Sequence, residues 1–270
     1  MLATTDSVEL ARRIRVHVLR MTNRARASHV GTCLSAADIL AVLYAKVLRV
    51  RADQPDWADR DRFVQSKGHG GAALYAVLAE RGFFPRDWLG KYCEDNSPLA
   101  GHVSHRGVPG VEASTGSLGH GLSLACGMAL GARSAGRGAR AVALLSDGEM
   151  DEGSTWEAFL LAGHHRIENL FAVIDYNKIQ SFGRTDDVLS LEPLAGKLSA
   201  FGWNVTEVNG HDHQALAGAF EPRNGRPTVV IAHTVKGKGV SFMEDRLEWH
   251  YKSPSADELE RGLRELGEPL

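Results

Sequence analysis

Residues 140–177 read RAVALLSDGEMDEGSTWEAFLLAGHHRIENLFAVIDYN, and this stretch decides the fold class. Residues 140–146 form an apolar run of strand length, of the kind that fills a sheet buried on both faces. Residues 154–164 have a helical pattern, and 169–175 repeat the apolar strand pattern. Strand, crossover helix and strand make a unit whose two strands are parallel and adjacent. Asp147 follows the first strand and Asn177 the second, so both should converge on one sheet edge, where open α/β sheets bind ligands. A carboxylate and an amide oxygen, with a backbone carbonyl able to join them, are hard ligands of the kind Mg²⁺ accepts. Asp and Asn after strands are also ordinary turn and capping residues, so the pair alone is a modest signal.

Working outward, the pattern repeats. Strands are expected at 62–65, 203–208 and 228–234. Helices are expected at 8–26, 36–48, 72–81, 122–133 and 192–201, and from His213 onward. Val8, Ala11, Ile14, Val18 and Met21 mark the apolar stripe of the first helix, and Ser35 reads as the N-cap of the second. Ser255-Ala-Asp-Glu258 reads as a capping box opening a closing helix. Alternating strands and helices imply an α/β fold, a mostly parallel sheet with helices on both faces. Residues 83–113, with Pro85, Pro98 and Pro109, read as a long irregular segment of the kind that is functional or mobile.

Two further features carry chemistry. Gly116-Ser-Leu-Gly119-His-Gly121 opens an apolar helix, a setting in which backbone N–H groups face an anion. A Rossmann site is a poor match, because no convincing strand precedes the glycines and no acidic strand end follows about 20 residues on; a phosphate or diphosphate fits better. His29, His69, His102 and His250 sit in loops or beside small residues. They lack zinc spacing, and each taken singly reads more readily as an ordinary histidine than as a functional one. His164-His165 lies on a helix, and His211 and His213 read as turn residues before one.

The chain has 270 residues, 43 % of them hydrophobic and 24 % charged, as in ordinary globular proteins. At about 150 residues per domain that is one large domain or two small ones. No repeat or Pro/Gly/Ser linker divides it, so residues 1–270 read as one domain. Lys and Arg number 31 against 33 Asp and Glu, a net charge of −2, which argues against a dedicated nucleic-acid or membrane-surface binder. Cys33, Cys93 and Cys126 form no C-x-x-C pair and no even framework, pointing to a reduced, cytoplasmic protein without a cysteine zinc site. The opening residues lack an apolar leader and no apolar run approaches about 18 residues, so neither secretion nor membrane insertion is expected.

Read together, these pieces resemble one family, the thiamine-diphosphate enzymes of the transketolase type. The resemblance rests on Ser66-Lys-Gly-His69-Gly, Ser114-Thr-Gly116-Ser-Leu-Gly119, Asp147-Gly148 through Glu152-Gly153, Ala162-Gly163, Asp175-Tyr-Asn177-Lys-Ile179-Gln, Lys236-Gly-Lys-Gly239 and Glu248-Trp-His250. They come in the family order and cover about residues 28–254. Ser146 stands where the family's metal motif has its first glycine, which puts cofactor affinity in question.

The resemblance implies that Asp147, Asn177 and the carbonyl of Ile179 hold Mg²⁺ against thiamine diphosphate. It places His69, Gly116, Ser117, Leu118, Gly148 and His250 around the diphosphate. His29, His102 and His250 would face the substrate as catalytic donors and proton carriers near neutral pH. Glu152 would join the cofactor shell at a subunit interface, or else be an ordinary first-turn carboxylate. The implied reaction moves a two-carbon ketol unit from a ketose to an aldose, with the cofactor as electron sink. Nothing in the 270 residues resembles the family's pyrimidine-binding domain. The expectation is therefore an N-terminal subunit of a split transketolase, active with a C-terminal partner chain and assembling as a heterotetramer. A thiamine-diphosphate synthase or ligase acting on a 2-keto acid and an aldehyde is the alternative; a non-catalytic diphosphate-binding subunit ranks below both.

Overall fold

The computed structural model describes residues 6–221 and 224–268; Met1–Thr5, part of the opening read above for a leader, lie outside them. Helix α1 (Ser7–Ala25) starts at Asp6, whose side chain accepts the amide of Val8. Its stripe Leu10, Ala11, Ile14, Val18, Leu19 and Met21 is buried, whereas Val8 is 61 % exposed and falls outside it. Helix α2 (Val30–Val42) continues into one π turn over Leu43–Val47. Strand β1 (Arg62–Gln65), α3 (Gly71–Glu80), α4 (Gly121–Ser134), β2 (Ala141–Ser146), α5 (Gly153–His164) and β3 (Leu170–Tyr176) follow. The chain then forms α6 (Thr185–Val188), α7 (Leu194–Ala200), β4 (Asn204–Asn209), α8 (His213–Ala219), β5 (Thr228–His233) and α9 (Ala256–Glu265). The Ser255–Glu258 capping box is formed as read. Residues 83–113 include one 3₁₀ segment, Arg86–Lys91, within an otherwise irregular path.

The five strands are all parallel in the order β1-β2-β3-β5-β4, with Ser146 opposite Asp175. Every residue of β2 and β3 is buried, as a sheet covered on both faces requires. The period of two divides their side chains. Val142, Leu144, Phe171 and Val173 pack with α1, α2 and α3 on one face; Ala141, Ala143, Leu145, Ala172 and Ile174 pack with α4, α5 and α7 on the other.

The second helix departs from the reading. It begins at Val30, five residues before Ser35, on His29 with φ of 72°. Ser35 is therefore inside the helix, fully buried, and its hydroxyl donates to Asp175 Oδ2 at 2.6 Å. The sequence VGTCLSAA has weak intrinsic helix preference, and burial of every residue overrides it. The 18-residue span Val30–Val47 is apolar and long enough to cross a membrane, contrary to the expectation above, but 83 % of it is buried within the fold as a core helix.

Candidate functional site

Because the strands are parallel, the segments leaving their C-terminal ends share one edge. Ser66–His69 leave β1, Asp147 and Gly148 leave β2, Asn177–Ile179 leave β3 and Thr234–Lys236 leave β5. They surround a cavity of about 400 Å³. His29, His69, His102, Gly116, Leu118, Asp147, Gly148, Glu152, Asn177, Ile179 and His250 all line it. Of the residues given a site role from sequence, Ser117 alone stands apart; it lines a neighbouring cavity with His120, Ser123 and Leu124.

The four histidines come from four distant segments. The His29 ring centroid lies 5.3, 5.6 and 5.1 Å from those of His69, His102 and His250. His29 is fixed by its own amide, which donates to the His250 carbonyl at 2.9 Å. His102 is held from behind by Tyr75, whose hydroxyl donates to the His102 carbonyl at 3.1 Å and accepts the Ser104 amide at 2.9 Å. His69 rides a single 3₁₀ turn, Gly68–Gly70. A Cβ on Gly68 would stand 2.3 Å from the Thr115 carbonyl oxygen, so only glycine lets the two loops close there.

Burial sets the electrostatics. It drives His29 down to about 4 and His250 down to about 3, with repulsion from Lys236 and Lys67 adding to it, and it lowers His69 well below the usual value. Burial thus favours the neutral ring for all three at pH 7. Lys236 Nζ donates to His250 Nδ1 at 3.0 Å, which leaves the His250 proton on Nε2.

The candidate oxygen ligands sit where the βαβ unit places them. Asp147 Oδ1 accepts the Gly148 amide at 2.8 Å and Oδ2 the Lys178 amide at 2.6 Å. Burial and the nearby Asp175 charge push its carboxyl up to about 6. Asn177 Oδ1 accepts the Ile179 amide at 3.1 Å, and the Ile179 carbonyl accepts Lys236 Nζ at 2.9 Å. A buried carboxylate short of positive charge, an amide oxygen and a carbonyl already drawing on a cation form a donor set that fits Mg²⁺. Among the described residues no group of three or more His, Cys, Asp or Glu is placed to hold a metal.

The glycine segment works differently from the reading. The Gly119 amide donates to Glu149 Oε1 at 2.9 Å and the Gly121 amide to Ser66 Oγ at 3.0 Å. Ser66 itself donates to Glu149 Oε1. The anion at the start of α4 is thus the protein's own buried carboxylate, and only Gly116 and Leu118 of this segment reach the cavity.

Sequence reasoning gives Lys236, Lys67 and Gln180 places in motifs but no role, and it misses Thr32. Lys236 is 1 % exposed and projects into the cavity. Its sequence signal is a lysine just past a strand end, followed by glycine. Lys67 lies beneath, paired with Asp175 and fully buried.

The model of the transketolase family's thiamine diphosphate binding domain matches residues 7–268. The chain belongs to the transketolase family. It is 43 % identical over 251 residues to an apulose-4-phosphate transketolase subunit of Actinobacillus succinogenes, covering 92 % of this chain and 91 % of that one. It is 39 % identical to 6-deoxy-6-sulfo-D-fructose transketolase subunit SqwG of a Clostridium species, over 94 % of this chain and 93 % of that one. Among solved structures, transketolase from Leishmania mexicana superposes with a TM-score of 0.92 at 31 % identity, covering 98 % of this chain and 42 % of that one. The chain therefore spans about two fifths of that longer family member and nearly the whole of the two subunits. The parallel sheet with helices on both faces is the family's fold.

Proposed function

We propose that this transketolase-family subunit binds thiamine diphosphate with Mg²⁺ in the 400 Å³ cavity and transfers a two-carbon ketol unit from a ketose to an aldose when joined by a second chain. One observation carries the reading: residues from seven separate segments, singled out for different chemical reasons, line a single cavity at the C-terminal edge of a parallel sheet.

Asp147, Asn177 and the Ile179 carbonyl would hold Mg²⁺, and Lys236 would add positive charge beside the diphosphate. His69, Gly116, Leu118 and Gly148 would line the diphosphate end, and Glu152 would stand at the partner-facing side. When bound, thiamine diphosphate supplies the electron sink for breaking the bond beside a ketose carbonyl. His29, His102 and His250 would orient substrate hydroxyls, as neutral groups in the cases of His29 and His250.

The partner we propose is a C-terminal transketolase subunit carrying the pyrimidine-binding domain, assembled as a heterotetramer. Its support is the match to relatives that are themselves named as single subunits of a transketolase, at nearly full coverage of both chains. Those relatives are named for a sugar phosphate, and a further subunit relative is named for a sulfo-sugar. Buried free thiols at Cys33 and Cys126 fit a reducing compartment such as the cytoplasm.

The test is a ketol-transfer assay with Mg²⁺ and thiamine diphosphate. The chain alone is expected to be inactive and the reconstituted pair active. Full transfer by the purified chain without a second polypeptide would overturn the two-chain reading.

A further inference from the structure

Lys236 reaches the cavity from a strap, residues 234–239, that is tied down along its length. The Thr234 amide donates to the Tyr176 carbonyl at 3.2 Å and the Gly237 amide to the Gly31 carbonyl at 2.9 Å. The Lys236 carbonyl accepts the Asp245 amide at 2.9 Å, and the Lys238 carbonyl accepts Arg15 Nε at 2.8 Å. Between these lies Val235, whose amide donates to a ring nitrogen, His211 Nε2, at 2.9 Å.

That bond fixes the chemistry of His211. A ring nitrogen that accepts an amide proton carries none of its own, so the His211 proton is on Nδ1. Nδ1 lies 2.6 Å from Asp38 Oδ2 and donates to it. Asp38 is itself immobilised on α2 by both terminal nitrogens of Arg15, at 2.6 and 3.1 Å, and by His213 Nε2 at 3.0 Å. The two histidines read from sequence as turn residues thus close a chain of bonds from α1 through α2 to the peptide before Lys236.

We propose that His211 is a positioning residue: accepting the Val235 amide at Nε2 while donating to Asp38 at Nδ1, it sets the strap from which Lys236 reaches Ile179 and His250. Lys236 touches these through two neutral acceptors. Its placement therefore depends on the backbone that carries it, and a displacement of about 1 Å is enough to degrade such a site. The effect on cofactor binding rests on the proposed function, whereas the effect on the strap does not.

Two substitutions separate the two ends of the ring. His211→Gln places an acceptor near the Nε2 position and gives up the Asp38 bond. His211→Asn keeps a donor near Nδ1 and gives up the Val235 bond. Hydrogen exchange at Val235 is read in the full chain without ligand, and thiamine diphosphate affinity with Mg²⁺ by calorimetry on the assembled pair. His211→Asn is expected to speed Val235 exchange and weaken cofactor binding about tenfold each, with His211→Gln within about threefold of the unmodified protein.

The reverse order, Asn like the unmodified chain and Gln impaired, would mean that His211 merely satisfies Asp38, and overturns the proposal. So does an unchanged affinity in His211→Asn alongside faster exchange. If the unmodified pair binds no thiamine diphosphate while the exchange order holds, the proposed function fails and the strap assignment stands. Nitrogen chemical shifts of the unmodified chain provide a check independent of variant folding: the Nδ1–H form of His211 is expected, and an Nε2–H form overturns the assignment.

Discussion

Two aspartates end neighbouring strands in nearly the same register, and the protein treats them in opposite ways. Asp175, the penultimate residue of β3, is fully buried and receives bonds from Lys67, the Ser35 hydroxyl and the Thr234 hydroxyl. Burial raises its carboxyl, but Lys67 and these donors outweigh it and hold it below the ordinary value. Asp147, one residue past β2, is almost as buried, yet it receives only two backbone amides and is pushed up to about 6. The first carboxylate has its counter-charge built in and holds the sheet edge together. The second has no partner at ion-pair distance and faces a cavity, the setting in which we propose that Mg²⁺ supplies the missing charge.

The largest expected effect breaks the built-in pair. Lys67→Met leaves Asp175 charged and unpaired in the interior, and loss of one partner of a buried pair costs about 3–5 kcal/mol. Urea unfolding of the chain measures it. A loss below about 1 kcal/mol would show that Asp175 is not held by Lys67, and the contrast between the strands would collapse.

Next comes the partnerless carboxylate. Asp147→Ala should weaken Mg²⁺-dependent thiamine diphosphate binding by about 100-fold or more, the upper range for disrupting a metal's surroundings. The ligand-free chain should lose little stability, because a buried unpaired charge is removed. Calorimetry of the assembled pair with parallel urea curves tests both halves. Unchanged affinity would remove Asp147 from the metal site.

A smaller effect is expected at His102, at the exposed side of the cavity. His102→Ala should slow turnover roughly tenfold, about the value of one hydrogen bond made in the transition state, with cofactor affinity nearly unchanged. A drop in cofactor binding of the same size would move His102 into the diphosphate shell.

What the sequence made legible follows the same division. Strand ends reveal themselves, because an apolar run stopping at Asp147 or just before Asn177 fixes both the element and the edge at which it ends. Hence the candidate oxygen ligands can be picked out without the fold, whereas the four histidines gain a role only from the family resemblance. Groups whose meaning depends on a distant partner are not legible. Ser35 looks like an N-cap until Asp175 lies beside it; the Gly119 and Gly121 amides look free until Glu149 and Ser66 take them. His211 looks like a turn residue until Asp38 and Val235 occupy its two nitrogens. Local pattern encodes periodicity and caps, but sequence separations of 30 residues between Gly119 and Glu149, or 173 between Asp38 and His211, carry no local trace.

The pH dependence of stability sharpens the comparison last, and its signs differ from site to site. His29 and His250 titrate near 4 and 3 in the folded chain, chiefly through burial, against an ordinary 6.5. The unfolded chain therefore takes up their protons first, and stability from these sites is full above about 6.5 and lost as pH falls toward 4. Asp147 acts in the other direction. Its carboxyl titrates near 6 when folded against an ordinary 3.8, so the folded chain binds that proton first and gains stability as pH falls from about 6 to about 4. Asp175, lowered when folded, contributes only further down, losing stability below the ordinary carboxylate range. With EDTA present, the three buried histidines, His69 included, make the urea midpoint fall between about pH 6.5 and 4.5, and the raised carboxyls of Asp147, Glu112 and Glu149 oppose that fall. Asp147→Asn should make that fall steeper below about pH 6, since its compensating proton uptake is gone. An equal or shallower slope in Asp147→Asn would show that Asp147 is not the strained carboxylate of the pair.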